Sequence, residues 1–595
     1  MIELVLFLVA AFIGSGVLFQ HKRALTYLAF AGVIFEMQMI ISAFVRRSWV
    51  HDVGGNTFYL IAGIIWLTIF IALYKRWKSP YSTSGSGKRD GFVGIALVII
   101  IALAYPIISS NGYHGENFVL HGFYNGDTVT FASLVNKSFI TSSLVQQNPF
   151  AANGPLEYPT LLHGAFADFF SLTGIGSDWL HFLPIISYIQ IFITIPMFFL
   201  LWDVVFPEPK NESELWFGIV SRNAVYSLQV ILTLIAIGLS LDSYIYPQSH
   251  FFLIGLFLAT IALLFQAHAK KGRSQLLPVI FGYAIAIALL LANTVTGTAA
   301  AGLAGVFAFI RIFDRKRSVL ERSLYLITGL VVLLLMRAAS TSRVSFFHPH
   351  FSISSAGDML SAGLPYLFVI AAAIYALSRK QFLAISSILV GFLGIITFFL
   401  ADRNIVTENA SRFLYHGFLI GFSLLLAPII QYIYFLKREI RLTSRPAIEI
   451  ITGYVGVLAL GLITFLPIGI SAGSTYSNLL KNDAHTISFN TQIALWWIEQ
   501  KTNPNDIIIA NPNEPFVIPL FTSKALLRTN DYWLSLQDET KDALVKAFSG
   551  DKKSQQEVLA QGNYLLVTPE EQKMWGVSKL KKVFESPDAI VYQIH

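Results

Sequence analysis

The sequence predicts a polytopic α-helical membrane protein of about 14 transmembrane helices that ends in a small α/β domain. Of its 595 residues, 54% are hydrophobic and only 13% are charged, and the mean hydropathy is +0.61. A soluble chain of this length would carry far more charge, so a lipid bilayer is the expected solvent. Apolar runs long enough to cross about 30 Å of hydrocarbon recur along positions 1–470. After position 471 the runs shorten and charges of both signs mix.

The first three runs, at 1–19, 24–44 and 58–74, are the predicted leading helices. The first run has no basic segment before it and no small-residue cleavage site after it, so we expect a retained helix and not a signal peptide. A Ser- and Gly-rich stretch at 81–87 predicts a flexible cytoplasmic connection. Positions 1–90 are therefore predicted to be a unit of leading helices and linker.

The predicted membrane core extends over 91–470 and is interrupted by one long polar segment at 110–181. A connection of this length inside a compact fold is usually functional, so we expect the chemistry of the protein to centre there. The short runs near 277 and 298 are predicted either as ordinary spans or as broken helices that line a cavity. The apolar runs of the core are 91–109, 182–206, 225–241, 251–267, 277–293, 298–312, 323–338, 361–377, 382–400, 413–436 and 448–470.

The basic residues predict an orientation in the membrane. If the runs cross the bilayer in alternation, 23 Lys and Arg residues belong to the connections on one side and 6 to those on the other. Basic residues concentrate in cytoplasmic loops. The 110–181 segment and the C-terminal tail are therefore expected outside the cytoplasm of a multi-pass plasma-membrane protein. The same bias accounts for the net charge of +7, and no nucleic-acid partner is predicted.

Positions 471–595 are predicted to form a soluble extracytoplasmic α/β domain. Helical spacing of apolar residues at 491–499 is followed by strand-like runs at 507–510, 564–567 and 589–594. The chain contains no Cys. This excludes disulfides, thiolate metal sites and cysteine nucleophiles, so any catalysis uses other groups.

Asp127 is the leading candidate for a catalytic residue. It follows Gly126 and precedes apolar residues at helical spacing, at Phe131, Leu134 and Val135. One interpretation is that Asp127 caps a helix, since Asp is favoured at that position. The other is that its carboxylate, at the membrane surface, acts as general base on a sugar or lipid hydroxyl. The two roles are compatible.

Three segments carry a resemblance to a known family. They are NPFAANGPLEYP at 148–159, SYIYPQSHFFLIGL at 243–256 and SRFLYHGFLIGF at 411–422. In that order, they resemble the loop that follows the catalytic acid, the entry to a later helix and the start of a late helix in the GT-C superfamily of membrane glycosyltransferases. The resemblance implies a GT-C-like core, a sugar donor carried on a polyprenyl phosphate, and inversion at the anomeric carbon.

On this resemblance Asp127 is the base and Arg412 holds the lipid phosphate. A guanidinium binds phosphate oxygens bidentately and stabilises charge on a leaving group, whereas the plainer role for Arg412 is snorkelling to the headgroups. Asp242 is a second carboxylate for the acceptor or a metal, or an ordinary helix-end residue. We also assign Glu157 and Tyr158, in the 148–159 run, to substrate binding. His163, which follows the run, receives the same assignment.

The sequence departs from the family in two respects. The outward loops contain no Asp-x-Asp pair, and WWIEQ at 496–500 lacks the Asp-Tyr-Gly continuation of oligosaccharyltransferase catalytic subunits. These departures argue against the oligosaccharyltransferase branch. No metal site is assigned, and a divalent cation stays open as a cofactor.

Two other classes of protein compete with a glycosyltransferase acting on a glycan, lipid or protein acceptor. A lipid or glycolipid transporter would carry paired charges at the bilayer midplane and interrupted helices in matched halves, and apart from Glu36 the predicted spans offer little of this. A non-catalytic scaffold with a GT-C-like fold is the third interpretation. Glu36 itself is interpreted either as functional or as a protonated, hydrogen-bonded structural residue.

Overall fold

The computed structural model describes about three fifths of the chain. The predicted runs from 361–377 to 448–470 lie outside the described residues. The described segments are 1–19, 24–77, 87–121, 127–145, 148–152, 160–205, 249–269, 276–313, 484–512, 517–528 and 539–594, with isolated positions at 156, between 226 and 237, between 319 and 330, and at 473 and 477.

The apolar runs within the described segments fold as helices, as predicted. Four helical segments are long and apolar enough to cross a membrane, and shorter apolar helices accompany them. The molecule is thus a polytopic helical membrane protein. Its apolar helices are α1 Ile2–Leu18, α2 Ala24–Trp49, α3 Gly55–Arg76, α4 Gly87–Ser109, α7 Leu183–Val205, α8 Ser249–Ala269, α9 Leu276–Ala292 and α10 Thr294–Phe313.

The outer face of α3 shows why a bilayer is needed. Ile61, Ile64 and Ile65 are each about half exposed although they lie in the middle of the helix. Contiguous exposed apolar surface of this kind is unfavourable in water and normal against lipid tails. In contrast, Phe198 and Trp202 on α7 are fully buried, so α7 lies inside the bundle.

Polar contacts at the two ends of the bundle agree with the predicted alternation of spans. Arg89, near the start of α4, forms an ion pair with Asp203 at the end of α7, with 2.6 Å between Nη2 and Oδ2. It also donates to Thr26 Oγ1 at the start of α2. At the opposite end the amino group of Met1 donates to the carbonyl of Leu172. The start of α1 and the start of α2 therefore lie at opposite ends of the bundle.

The leading helices share a core with the helices that follow the 81–87 linker. Phe30 of α2 and Phe70 of α3 both pack on Phe281 of α9, with ring centroids 6.2 and 5.9 Å apart. Gly32 of α2 lies so close to Ile193 of α7 that an added Cβ would approach that side chain to 2.8 Å. The apolar faces of α2 and α3 are therefore buried against helices that follow the 81–87 linker.

The described residues of the predicted polar segment at 110–181 form strands and helices rather than an open loop. Strands β1 Gly112–His114 and β2 Asn117–His121 form a hairpin, and α5 Asp127–Phe139, α6 Leu161–Thr173 and a 3₁₀ helix at Gly176–Phe182 follow. Strand β3 Ala484–Ile487 pairs antiparallel with β2, with Val119 opposite Thr486. The sheet β1–β2–β3 therefore joins this segment to the C-terminal part of the chain.

The C-terminal part contains a five-stranded sheet in the order β5-β4-β6-β8-β7, in which β4 is parallel to β5 and β6. The predicted helix near 491–499 and the three predicted strands are confirmed, whereas the short β5 and the solvated β7 were not predicted. Leu544, Phe548 and Trp575 belong to a core on one face of the sheet. The elements are α11 Phe489–Lys501, β4 Ile507–Ile509, α12 Val517–Phe521, β5 Ala525–Leu526, α13 Glu539–Phe548, α14 Lys552–Leu559, β6 Tyr564–Val567, α15 Pro569–Met574, β7 Lys581–Glu585 and β8 Ile590–Gln593.

Candidate functional site

Helix α5 is at the centre of the candidate site, and its apolar spacing explains why it forms. Phe131, Leu134 and Val135 are buried, as the sequence predicted. The ring of Phe131 packs on Phe166 of α6 and Phe252 of α8, with centroids 5.2 and 4.9 Å apart. Burial of this face fixes α5 against both the folded polar segment and the membrane helices.

Asp127 is the first residue of α5. The helix therefore begins within one residue of the position expected from the sequence. A carboxylate-bearing residue in the first turn is favoured because the backbone N–H groups there are unpaired and carry partial positive charge. Its position agrees with both the structural and the catalytic interpretation of Asp127.

Asn136 connects α5 to two other parts of the molecule. Its Oδ1 accepts a hydrogen bond from Trp179 Nε1 at 2.9 Å, and its Nδ2 donates to the carbonyl of Leu520 in α12. All three residues are buried. A buried amide satisfied on both sides specifies one orientation, since any rotation would leave buried polar atoms unpaired.

Lys137 makes the second contact between α5 and the C-terminal part. Its Nζ donates to the carbonyl of Ser523 at 2.9 Å. Burial, and to a smaller extent the nearby positive charge of Lys524, lower the pKa of Lys137 from 10.5 to about 8, and the negative charge of Glu499 opposes this shift. Glu499 in turn accepts hydrogen bonds from the backbone and side chain of Ser523. The end of α5 is thus tied to a polar cluster on the C-terminal part.

The Asn-Pro turn at 148–149 makes a third contact between the predicted polar segment and the C-terminal part. Asn148 Oδ1 accepts from the amide of Phe150 at 2.9 Å, which is the local bond that makes Asn a turn residue. The carbonyl of Pro149 accepts from the amide of Leu526, and the amide of Ala152 donates to the carbonyl of Leu526. The described residues 148–152 form a structured, non-helical turn, as a run with several Pro and Gly residues favours.

A buried ion cluster that the sequence did not predict lies at the other side of α5. Asp168 of α6 accepts hydrogen bonds from Arg46 and Arg47 at the end of α2 and from the hydroxyl of Tyr59 in α3. In the sequence analysis the two arginines were only counted among the 6 basic residues of the less basic side. The sequence did contain one signal of this cluster, which was Asp168. A carboxylate inside the apolar helix LLHGAFADFFSLT requires a partner.

The structure describes only part of the predicted substrate site. His163 is fully buried in α6, with its ring centroid 4.9 Å from that of Phe131. Glu157, Tyr158, Asp242 and Arg412 lie outside the described residues. In the described part of the chain no three His, Asp or Glu side chains form a group that could hold a metal ion.

Fold and site together define a polytopic helical membrane protein. At one end of its helical bundle, the described residues of 110–182 pack against the C-terminal part. No protein-family model matches the sequence. No curated protein matches it either.

Solved structures of two membrane proteins are similar to this chain. The archaeal oligosaccharyltransferase AglB from Archaeoglobus fulgidus, in complex with an inhibitory peptide and a dolichol-phosphate, is 10% identical with a TM-score of 0.46, over 81% of this chain and 70% of AglB. ArnT from Cupriavidus metallidurans in the apo state is 13% identical with a TM-score of 0.42, and ArnT bound to undecaprenyl phosphate is 12% identical with a TM-score of 0.44. Each ArnT match covers 85% of this chain and 98% of ArnT. TM-scores below 0.5 establish no common activity.

Proposed function

We propose that this protein is a membrane glycosyltransferase that moves a sugar from a polyprenyl-phosphate donor to an extracytoplasmic glycan, lipid or protein acceptor, with inversion. The observation that carries the proposal is the position of Asp127. Asp127, which the family resemblance assigns as the base, is the first residue of α5. Helix α5 is held in place by buried polar contacts from two sides. A general base needs such fixed placement, because the rate depends on the geometry of proton transfer.

In the proposed reaction Asp127 takes the proton of the acceptor hydroxyl. The hydroxyl oxygen forms a bond to the anomeric carbon of the sugar while the bond from that carbon to the phosphate oxygen breaks, and polyprenyl phosphate leaves. Arg412 pairs with the phosphate and stabilises the charge that develops on it. Glu157, Tyr158, His163 and Asp242 are proposed to contact the substrates, and the site is proposed to face away from the cytoplasm.

The distribution of charge in the described helices favours an enzyme over a transporter. A transporter that moves a charged lipid across the bilayer is expected to carry ionisable groups near the middle of its spans. In the described spans, Arg89 and Asp203 pair near one end of the bundle and Arg46, Arg47 and Asp168 pair at the other. Glu36 lies within α2, and its side chain is hydrogen-bonded to Gln190 of α7, which supports a structural role.

Membranes that contain native acceptors test the proposal. Membranes from cells lacking the protein, and from the same cells expressing it, are incubated with a panel of radiolabelled sugars carried on polyprenyl phosphate. We expect label to move from the lipid extract to an acceptor fraction only when the protein is present, with release of polyprenyl phosphate. Purified protein in liposomes that moves labelled lipid between leaflets, without any transfer of sugar in membranes, would instead establish a transporter.

A further inference from the structure

Arg47 uses every hydrogen-bond donor of its guanidinium group. Nε donates to Asp168 Oδ2 at 3.0 Å, and Nη2 donates to Asp168 Oδ1 at 2.9 Å and to the carbonyl of Ser138 at 3.1 Å. Nη1 donates to the carbonyls of Thr141 and Ser143 at 3.0 and 3.1 Å. A guanidinium has five N–H donors in a fixed planar fork, so this set of contacts permits one orientation only.

Each carboxylate oxygen of Asp168 accepts two hydrogen bonds. Its Oδ1 accepts from Arg46 as well as from Arg47, and its Oδ2 accepts from the hydroxyl of Tyr59 at 2.7 Å in addition to Arg47. The side chains of Arg47 and Asp168 are 2% and 4% exposed. Removal of one member of a buried, fully bonded ion pair is strongly destabilising because the other charge is left unpaired away from water.

The cluster joins four helices at one point. Arg46 and Arg47 end α2, Tyr59 lies in the first turns of α3, and Asp168 lies in α6. The carbonyl of Ser138 is in the last turn of α5, where the carbonyls of a helix have no partner within the helix and attract a cation.

The backbone of α6 leaves space for this arginine at Gly164. A Cβ added to Gly164 would lie 2.7 Å from Arg47 Nε and 2.8 Å from Arg47 Cδ. Contacts below 3.0 Å require the arginine to move, and its five bonds oppose any shift. Gly164 is therefore a point at which the cluster is disturbed without the loss of any of its members.

We propose that Arg47, Asp168, Arg46 and Tyr59 form a positioning site that holds the end of α5, and through α5 the placement of Asp127. The leading helices α2 and α3 are then part of the catalytic unit rather than a separate membrane anchor. The effect of the cluster on catalysis rests on the proposed function, whereas its effect on the position of α5 does not. Displacement of a catalytic group by about 1 Å is enough to cost about a hundredfold in rate.

The experiment uses the full-length protein in lipid nanodiscs and two readouts. Amide hydrogen exchange of the 127–139 peptide reports the stability of α5 directly, and steady-state transfer assays separate kcat from the KM of the donor. The variants are Arg47→Ala, Arg47→Lys, which keeps the charge but not the fork, and Gly164→Ala. The matched control is Gly94→Ala in α4, where an added Cβ meets no atom within 4 Å. If Arg47→Ala does not fold, Gly164→Ala carries the test.

We expect exchange in α5 to accelerate by about tenfold or more in Arg47→Ala and Gly164→Ala, and to be partly restored in Arg47→Lys. In the same variants kcat falls by about tenfold to a hundredfold while the KM of the donor is unchanged. Wild-type exchange across α5 in both Arg47→Ala and Gly164→Ala overturns the positioning site, whatever the activity. Faster exchange in α5 with wild-type kcat overturns its role in catalysis. If the wild-type protein transfers no sugar, the proposed function fails and the exchange readout still decides the positioning of α5.

Discussion

Lys137 Nζ donates to the backbone carbonyl of Ser523 across 2.9 Å, which joins two residues 386 positions apart in the chain. Together with the contacts of Asn136 and Pro149, this bond fixes α5 and the Asn-Pro turn to the C-terminal part. The segment that the sequence assigns to the active site is therefore not an isolated loop. Its position depends on the C-terminal part of the chain.

The first prediction concerns pH. The pKa of Lys137 falls from the ordinary 10.5 to about 8 in the folded protein, so between these values the unfolded chain binds more protons than the folded one. Stability contributed by Lys137 therefore rises as pH increases from about 8 to about 10.5. Thermal unfolding in detergent at pH 7, 8, 9 and 10 measures this change of stability with pH. We expect Lys137→Met to lack this rise and the exposed-lysine control Lys552→Met to keep it. An identical pH profile in wild type and Lys137→Met would be inconsistent with a depressed pKa.

The second prediction concerns Asn136. Asn136→Leu keeps the volume but leaves the Trp179 N–H and the Leu520 carbonyl buried without this partner, at about 1 to 3 kcal/mol for each group. The unfolding midpoint should fall by several degrees, as measured by thermal unfolding of the full chain. Asn505→Leu, at an exposed position, is the control and should be close to wild type. A variant at Asn136 as stable as the control would mean that these bonds contribute nothing.

The third prediction concerns the connection between α9 and α10. A Cβ at Gly297 would lie 2.3 Å from Leu290 Cα and 2.6 Å from the carbonyl oxygen of Leu289. Because both atoms are backbone, no rotamer change relieves the clash, and Gly297→Ala should destabilise the protein by about 1 to 3 kcal/mol or more. Gly305→Ala lies in the same helix with no atom within 4 Å and should be tolerated. Equal unfolding midpoints for the two variants would contradict this close approach.

The fourth prediction concerns orientation. The chain has no Cys, so single cysteines are unambiguous probes. Ser142→Cys and Lys553→Cys, both exposed, should react with an impermeant thiol reagent in intact cells. Lys75→Cys, at the opposite end of α3 from Tyr59, should react only after permeabilisation. Reaction of Lys75→Cys alone in intact cells would reverse the orientation, and reaction of only one of the other two would contradict the contacts between their segments.

The sequence predicted the elements of this fold better than the contacts between them. The apolar runs and the spacing of Phe131, Leu134 and Val135 report burial directly, so α2, α7 and α5 were located to within a few residues. The class of protein, a polytopic helical membrane protein, is confirmed for the same reason. The hairpin β1–β2 was missed because its strands are short and one of its partners, β3, lies more than 350 positions away.

The candidate site was only partly predictable for a related reason. Asp127 stood out because it begins a periodic helix within the long polar segment. Arg47 was only one of the 6 basic residues on the less basic side, and Asp168 indicated the need for a partner but not which partner. Their pairing spans 121 positions, and no local pattern encodes such a contact. Chemistry at a single position was visible in the sequence, but the pairing of distant charges required the structure.

The measurement that tests the proposed function most directly is the turnover of Asp127→Asn. Asn occupies the start of a helix nearly as well as Asp, so the variant should fold, unfold at the wild-type temperature and bind the donor as the wild type does. As it cannot accept the proton of the acceptor hydroxyl, its kcat for sugar transfer should fall by about 10² to 10⁴. Transfer by folded Asp127→Asn at the wild-type rate would contradict the role of Asp127 as the catalytic base and leave it as a residue that starts a helix.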